Sequence, residues 1–461
     1  MRDNKAQFIS LLMFLVIGAV VLSNGFIARI AAQSRDVDVF YEIQPIGDVL
    51  DEINKSYVDD PAYADVVEGA IRGMMNALDD HSAFVPRSAF ERMTEDTDGR
   101  YDGIGVTIYK KDDNITVFQP SSGAPAAEAG IMAGDIIYKI NDVSTQGMSL
   151  DEARDLIRGP SGTTVHLTLV RIIDEDAREA ETVEVEVERG QIPIESIAES
   201  RFIEDSIGYI RLSDFKKSSA DDIAKEIERF KDKQAQGLIL DLRWNPGGLM
   251  SASKEVCELF LPRNTLVTYT RGRNRTDGSE IEQMRLFTER RPVVPETFPL
   301  IILVNEHTAS SSEIVTGALQ YWTRAIVVGD KTYGKGSVQT IIPLRRPEGS
   351  AIRLTTAHYY TPADVNIDGQ GIEPDVEVAM SKEDSRRLWI QLIQADGPEI
   401  DTDDIDGVTD ERVEDVQLKR AIEILQEDSI FDNLIARYHR STQETQRSRD
   451  ADQVASVADE S

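Results

Sequence analysis

The chain has 461 residues, enough for two or three domains, and 82 acidic against 50 basic side chains leave it a net charge of −32. That balance argues against nucleic acid, whose phosphates need clustered Lys and Arg, and against a polybasic grip on anionic lipid, leaving solubility as the simplest meaning of the charge. The lone Cys257 permits no intramolecular disulfide and no multi-cysteine metal site; beside Val256, Leu259 and Phe260 it reads as a buried helix residue.

At the N-terminus, Arg2 and Lys5 precede an apolar run from Phe8 to Leu22, the length of a signal-peptide core, and apolar character resumes weakly at Phe26 and Ile27. Residues 1–35 are therefore read as a signal peptide or membrane anchor, with the rest of the chain exported. Residues 36–94 show helical periodicity at Ile46, Val49, Leu50 and Ile53, then at Val66, Val67, Ala70, Ile71 and Met74. From 95 to 190 short strands and glycine turns take over, "YDGIGVTIYK", "ITVFQP", "AGDIIYKIND", "TVHLTLVR" and "ETVEVEVERG", with one helix at "SLDEARDLIRG". Between 191 and 380 strand and helix alternate: "GYIRLSDF", "DDIAKEIERF", "GLILDLR", "MSASKEVCELFLP", "PLIILVN", "SEIVTGALQYW", "AIVVG". Such alternation predicts an α/β domain with largely buried parallel strands. Residues 381–461 read as a peripheral helix, at "DVQLKRAIEILQ", and an acidic disordered tail.

Two stretches carry chemistry. "VVGDKTYGKGS" contains G-x-x-x-x-G-K but is followed by Gly336 and a strand-like "GSVQTIIPL", where a phosphate loop needs Ser or Thr and then a helix. The NTPase reading fails on both counts, and Lys335 is left in a tight turn between two glycines. In "PLIILVNEHTASSSEIVTGALQ" a strand turns into a helix at three serines. Ser310 and Glu313 form S-x-x-E, so Ser310 can be a plain N-cap, or a nucleophile beside free helix-start N–H groups; spacing alone leaves the choice, and the register among the serines, open. Of the five histidines only His307 lies near in sequence, at a strand end where a loop role suffices. A lysine can act as the base instead, once burial lowers its pKa from about 10.4, and Lys335 after the apolar "AIVVG" suits that role, with Gln339 four residues on to orient it.

Taken together, "TASSSEIVTGALQ", "TYGKGSVQ", "DLRWNPGG", "AIRLTTAHYYTP" and "GQGIEPDVEV", with "YDGIGV", "APAAEAGIMAGDIIYKIND" and "RGPSGTTV", resemble a carboxyl-terminal processing peptidase, a tail-specific serine protease of peptidase family S41 with an embedded PDZ domain. The resemblance spans about Val39 to Val378. It implies a crotonase/ClpP-like α/β protease core at 191–380, an inserted PDZ domain at 95–190, and a Ser–Lys dyad of Ser310 and Lys335 assisted by Gln339. It further implies an oxyanion hole from Ser311 and Gly247 or Gly248, and a carboxylate-binding loop at Gly103, Ile104 and Gly105. No metal or cofactor is implied. Expected partners are proteins with free, apolar C-termini, with an adaptor or a second copy of the chain as further candidates, in the bacterial periplasm or on the inner membrane facing it. Two departures stand out: Thr308 and Ser311 replace Ser and Ala of the family's usual "SASASE", and Tyr321 stands where some relatives carry aspartate. The rival reading, a membrane-tethered PDZ adaptor with an inactive protease fold, is opposed by the joint presence of Ser310, Lys335 and Gln339.

Overall fold

The computed structural model describes residues 39–111, 113–174, 179–274, 276–394, 412–427 and 436. The leader read at 1–35 and most of the acidic tail lie outside the described residues, and among the described residues no helix is long and apolar enough to cross a membrane. In chain order, α1 (Val39–Ser56) and α2 (Tyr63–Asn76) lead to β1 (Ala83–Val85) and α3 (Arg87–Asp98). A β-rich stretch follows: β2 (Arg100–Gly103), β3 (Val106–Lys111), β4 (Asn114–Pro120), α4 (Pro125–Glu128), β5 (Ile136–Ile140), β6 (Val143–Ser144), α5 (Leu150–Ile157), β7 (Thr164–Asp174), β8 (Glu179–Glu188) and β9 (Gly190–Pro193). Then come β10 (Ile197–Ile203), β11 (Ile207–Leu212), α6 (Ser219–Asp232), β12 (Gly237–Asp241), α7 (Met250–Glu258), β13 (Leu266–Arg273), β14 (Glu280–Phe287) and β15 (Leu300–Val304). The last group is α8 (Ser311–Tyr321), β16 (Ile326–Gly329), β17 (Ser337–Pro343), β18 (Ala351–Tyr360), β19 (Val376–Glu377), α9 (Lys382–Gln394) and α10 (Val416–Gln426).

These elements form two compact units. One comprises the described residues up to Pro86 together with Thr270–Met284 and Val338–His358. In it, β1 pairs antiparallel with the start of β18, Ala83 opposite Arg353 and Val85 opposite Ala351. The helical periodicity read within 36–94 is realised in α1, α2 and the start of α3, but β1 was not foreseen: three residues are too few for a period, and its partners lie some 270 positions away.

The other unit comprises Arg87–Tyr269, Arg285–Ser337 and the described residues from Tyr359 onward. Its β-rich part is the sheet β3-β4-β5-β7-β8, with β6 paired to β5, closed over a core that includes Ile115, Ile137, Ile140 and Leu167. Helix α5 opens on a capping box, Ser149 with Glu152, and turns Ala153 and Ile157 into that core. The α/β part is the sheet β10-β11-β12-β15-β16-β19, in which β11 to β19 run parallel and β10 is an antiparallel edge. Strands β11, β12, β15 and β16 are buried at every residue, as the uninterrupted apolar runs predicted for a sheet covered on both faces.

Alternation along β11 shows what covers each face. Gly208 lies against the Phe230 ring of α6, where an added Cβ would come within 2.6 Å of it, whereas Ile207 and Tyr209 point the other way. There they join Ile239, Ile301, Leu303 and Val328 in a core completed by Ala421 and Ile424 of α10. Helix α10 is therefore part of the fold and not the peripheral helix expected. Its N-cap residue Asp415 accepts from the Arg243 guanidinium, which is buried and also bound to Asp241 at the end of β12.

Candidate active site

Three neighbouring parallel strands, β12, β15 and β16, end on the same edge of the sheet, and the loops leaving their carboxyl ends carry "NPGG", the serines and Lys335. Parallel strands put every such loop on one rim, which is why α/β sheets build sites there.

Ser310 sits at the strand-to-helix turn just before α8 with φ 56° and ψ −118°. A non-glycine residue in the left-handed half of backbone space is strained by about 1–3 kcal/mol and persists only where its surroundings over-determine it. Here they do. Ala309 N–H donates to the Asn245 carbonyl at 3.0 Å, Ser312 Oγ donates to the same oxygen at 3.0 Å, and Thr308 Oγ1 donates to Leu242 O at 2.9 Å. Gly247 presses against the turn: a Cβ there would stand 2.7 Å from Ser310 Cβ and 2.9 Å from Ser311 N, so only glycine fits, at φ 103°.

The two glycines differ in what their N–H groups do. Gly247 N–H donates to Asn245 Oδ1 at 2.9 Å and is spent. Gly247 O accepts from Phe215 N–H at 2.9 Å, and because the peptide is trans, the Gly248 N–H across the same plane points away from Phe215. Gly248 N–H and Ser311 N–H, the latter at the first helical residue, make no hydrogen bond among the described residues. Their segments are tied together by Ser311 Oγ, which donates to Gly248 O at 2.9 Å. Of the two glycines offered as oxyanion donors, Gly248 is the one whose N–H makes no hydrogen bond among the described residues, because Asn245 Oδ1 accepts that of Gly247.

Lys335 lies in a turn packed from behind by Gly369–Ile372. Gly334 has φ 88° and a Cβ on it would meet Gly371 N at 2.8 Å; Gly369 N–H donates to Gly334 O at 2.8 Å, and Gly336 N–H to Asp368 Oδ1 at 2.9 Å. Two buried groups join this turn to the Ser310 turn. The Glu313 carboxylate accepts Ser310 N–H (2.8 Å), Lys335 N–H (2.8 Å), Gly334 N–H (2.7 Å) and Thr332 Oγ1–H (2.6 Å). The Tyr359 hydroxyl reaches the Ser310 carbonyl at 3.1 Å and also the Lys335 carbonyl. Burial pushes the Glu313 carboxyl above its ordinary pKa against the pull of these donors. Burial first, and then the charges of Glu313 and Asp368, hold the Tyr359 phenol well above its own, so it remains a donor. Glu313 does supply the carboxylate half of the capping box read in S-x-x-E; its hold on the lysine turn is what local spacing could not reveal.

Residues 206–378 match peptidase family S41, and residues 116–171 match a PDZ domain. A carboxy-terminal-processing protease of Bartonella bacilliformis is 36% identical over 369 residues, 78% of this chain and 81% of that one. The chain belongs to peptidase family S41. Another member, the carboxy-terminal processing protease CtpA of Bacillus subtilis, is 32% identical over 380 residues, 82% of this chain and 78% of its own. A carboxyl-terminal-processing protease of Synechocystis is 36% identical over 309 residues, 66% and 69% of the two chains. The chain is a serine peptidase carrying a PDZ domain, and the adaptor alternative has no support among these S41 relatives.

In this S41 chain the remaining expected site residues fall as follows. Gln339 lies on β17 in the first unit, its amide 3.5 Å from Thr355 Oγ1. His307 has an exposed side chain beside Glu306, as a loop residue would. In the PDZ part, β3 pairs on one side only among the described strands, and a groove of about 290 Å³ runs between it and α5, lined by Ile104, Gly105, Ile108, Arg154, Ile157 and Arg158 among others. Gly103 is not among the lining residues: it closes β2 opposite Gly190, with the Tyr101 ring so near that a Cβ would meet it at 2.8 Å. Ile104 O accepts from Ala126 N–H at 2.8 Å, so the Gly105 N–H of the same trans peptide faces the opposite way.

Proposed function

We propose that this peptidase captures the free C-terminus of a protein substrate in its PDZ groove and cleaves a peptide bond upstream with Ser310 as nucleophile and Lys335 as base. Neutral Lys335 takes the Ser310 Oγ proton as Oγ attacks the scissile carbonyl; the oxyanion is received by the N–H groups of Gly248 and Ser311; the lysine then protonates the leaving amine. Water hydrolyses the acyl-enzyme by the same proton relay. The observation that carries this reading is the strained Ser310 backbone, held beside two unengaged N–H groups and lashed to the Lys335 turn through Glu313 and Tyr359. Gln339 keeps, within the proposal, the role of orienting Lys335.

The test is degradation of an unfolded protein by wild type and by Ser310→Ala, Lys335→Ala and Lys335→Arg. Loss of several orders of magnitude is expected in each variant, because nucleophile and base act as a unit and arginine stays protonated. Wild-type activity should rise with pH as the amine deprotonates. An active Lys335→Arg enzyme would overturn the dyad. We further propose that catalysis takes place outside the cytoplasm, on the strength of Arg2, Lys5 and the apolar run that follows; protease accessibility of the chain in intact spheroplasts tests it.

A further inference from the structure

Resting on the capture of C-termini just proposed, the groove itself carries information about which tails enter. A peptide added to the free edge of β3 sends alternate side chains toward α5, so its last residue and the one two positions before it face the helix. Arg158 stacks over the Tyr101 ring at 4.4 Å, pairs with Glu95 at 2.5 Å, has its Cγ 3.8 Å from a Cβ placed on Gly103, and lines the groove together with Gly105. One helical turn back, Arg154 also lines the groove. Four residues of helix rise about 6 Å, and two residues of strand span about 6.8 Å, so Arg154 lies level with the side chain two positions before the terminus. Ile104, Ile108 and Ile157, which also line the groove, give the last side chain an apolar seat.

We infer that Arg154 selects tails with an acidic residue two positions before an apolar C-terminal residue. Its present partner, Asp151, is a three-residue neighbour on the same helix, 2.7 Å from Nη1 and 76% exposed. Such an exposed pair is worth little, and a carboxylate arriving from a bound strand can share or replace it, since guanidinium offers five donors.

The experiment uses the full chain bearing Ser310→Ala, so that peptides stay intact, and fluorescence anisotropy with labelled decapeptides ending Glu-Ala-Val, Ala-Ala-Val or Lys-Ala-Val, each as free acid and as amide. The free-acid Glu peptide should bind about three- to fivefold tighter than the Ala peptide, and tighter still than the Lys peptide. Adding Arg154→Met should erase the order, and Arg154→Glu should reverse Glu and Lys. If free acids outbind amides but the three free acids bind alike, or if their order survives in Arg154→Met, the inference is overturned while C-terminal capture stands. If free acid and amide bind equally, capture itself fails and the inference with it.

Discussion

At the scale of single residues, Glu313 shows how one side chain can serve both the start of a helix and a turn distant in sequence. Its two oxygens take four donors from two turns, three of them backbone N–H groups whose positions set where Ser310 and Lys335 stand. Glu313→Gln replaces one acceptor oxygen by an NH₂ that must face donors, so the turns separate by a fraction of an ångström. The expected result is a fall in kcat of about 100-fold with KM little changed, the size associated with small misplacements of reacting groups. Single-turnover kinetics, with circular dichroism to show the fold intact, check it; an unaltered kcat would mean that the clamp does not set the dyad. The sequence displayed Glu313 only as the last letter of S-x-x-E, and Tyr359 only as part of "AHYYTP", because their partners are brought in by other strands.

At the scale of elements, the turn at Gly105 joins β2 to β3 and lines the groove in which we propose that a terminus is held. Gly105 has φ 73° and a Cβ on it would stand 2.3 Å from Ala124 Cβ, so Gly105→Ala is both strained and obstructed. Peptide affinity should fall at least tenfold and thermal stability by about 1–2 kcal/mol. Titration of the free-acid peptide reads the first and calorimetry the second; wild-type affinity in Gly105→Ala would remove the turn from carboxylate binding. The glycines of "YDGIGV" were legible as a turn, but not their division of labour. Gly103 finishes a strand under Tyr101 while Gly105 faces the groove. The same holds at "NPGG", where Asn245 takes Gly247 N–H and leaves Gly248.

Across the whole molecule, the acidic composition predicts a dependence of stability on pH that one buried carboxylate makes specific. Asp375 accepts from Val327 N–H and from the Gln320 amide, and burial pushes its pKa up to about 6. A carboxyl raised on folding contributes stability that is full below its unfolded value and is lost as pH rises through about 6. Asp375→Asn removes that dependence but leaves the repulsion among the other acids. The stability difference between wild type and Asp375→Asn should therefore move by about 2 kcal/mol in favour of wild type as pH falls from 7.5 to 4.5, read by urea denaturation. A difference constant with pH would contradict a buried, ionisable Asp375. By itself the sequence determined whatever depends on neighbours along the chain: the apolar runs that become fully buried parallel strands, the helix periods, and the order of motifs that marks a PDZ-bearing serine peptidase. Only the tertiary structure decided which glycine N–H stays unengaged, that β1 joins β18 across some 270 residues, and that α10 completes the core beneath β11, β12, β15 and β16. Those outcomes rest on hydrogen bonds and burial between segments far apart in sequence, and no local spacing records which distant group will arrive to use a donor or cover a face.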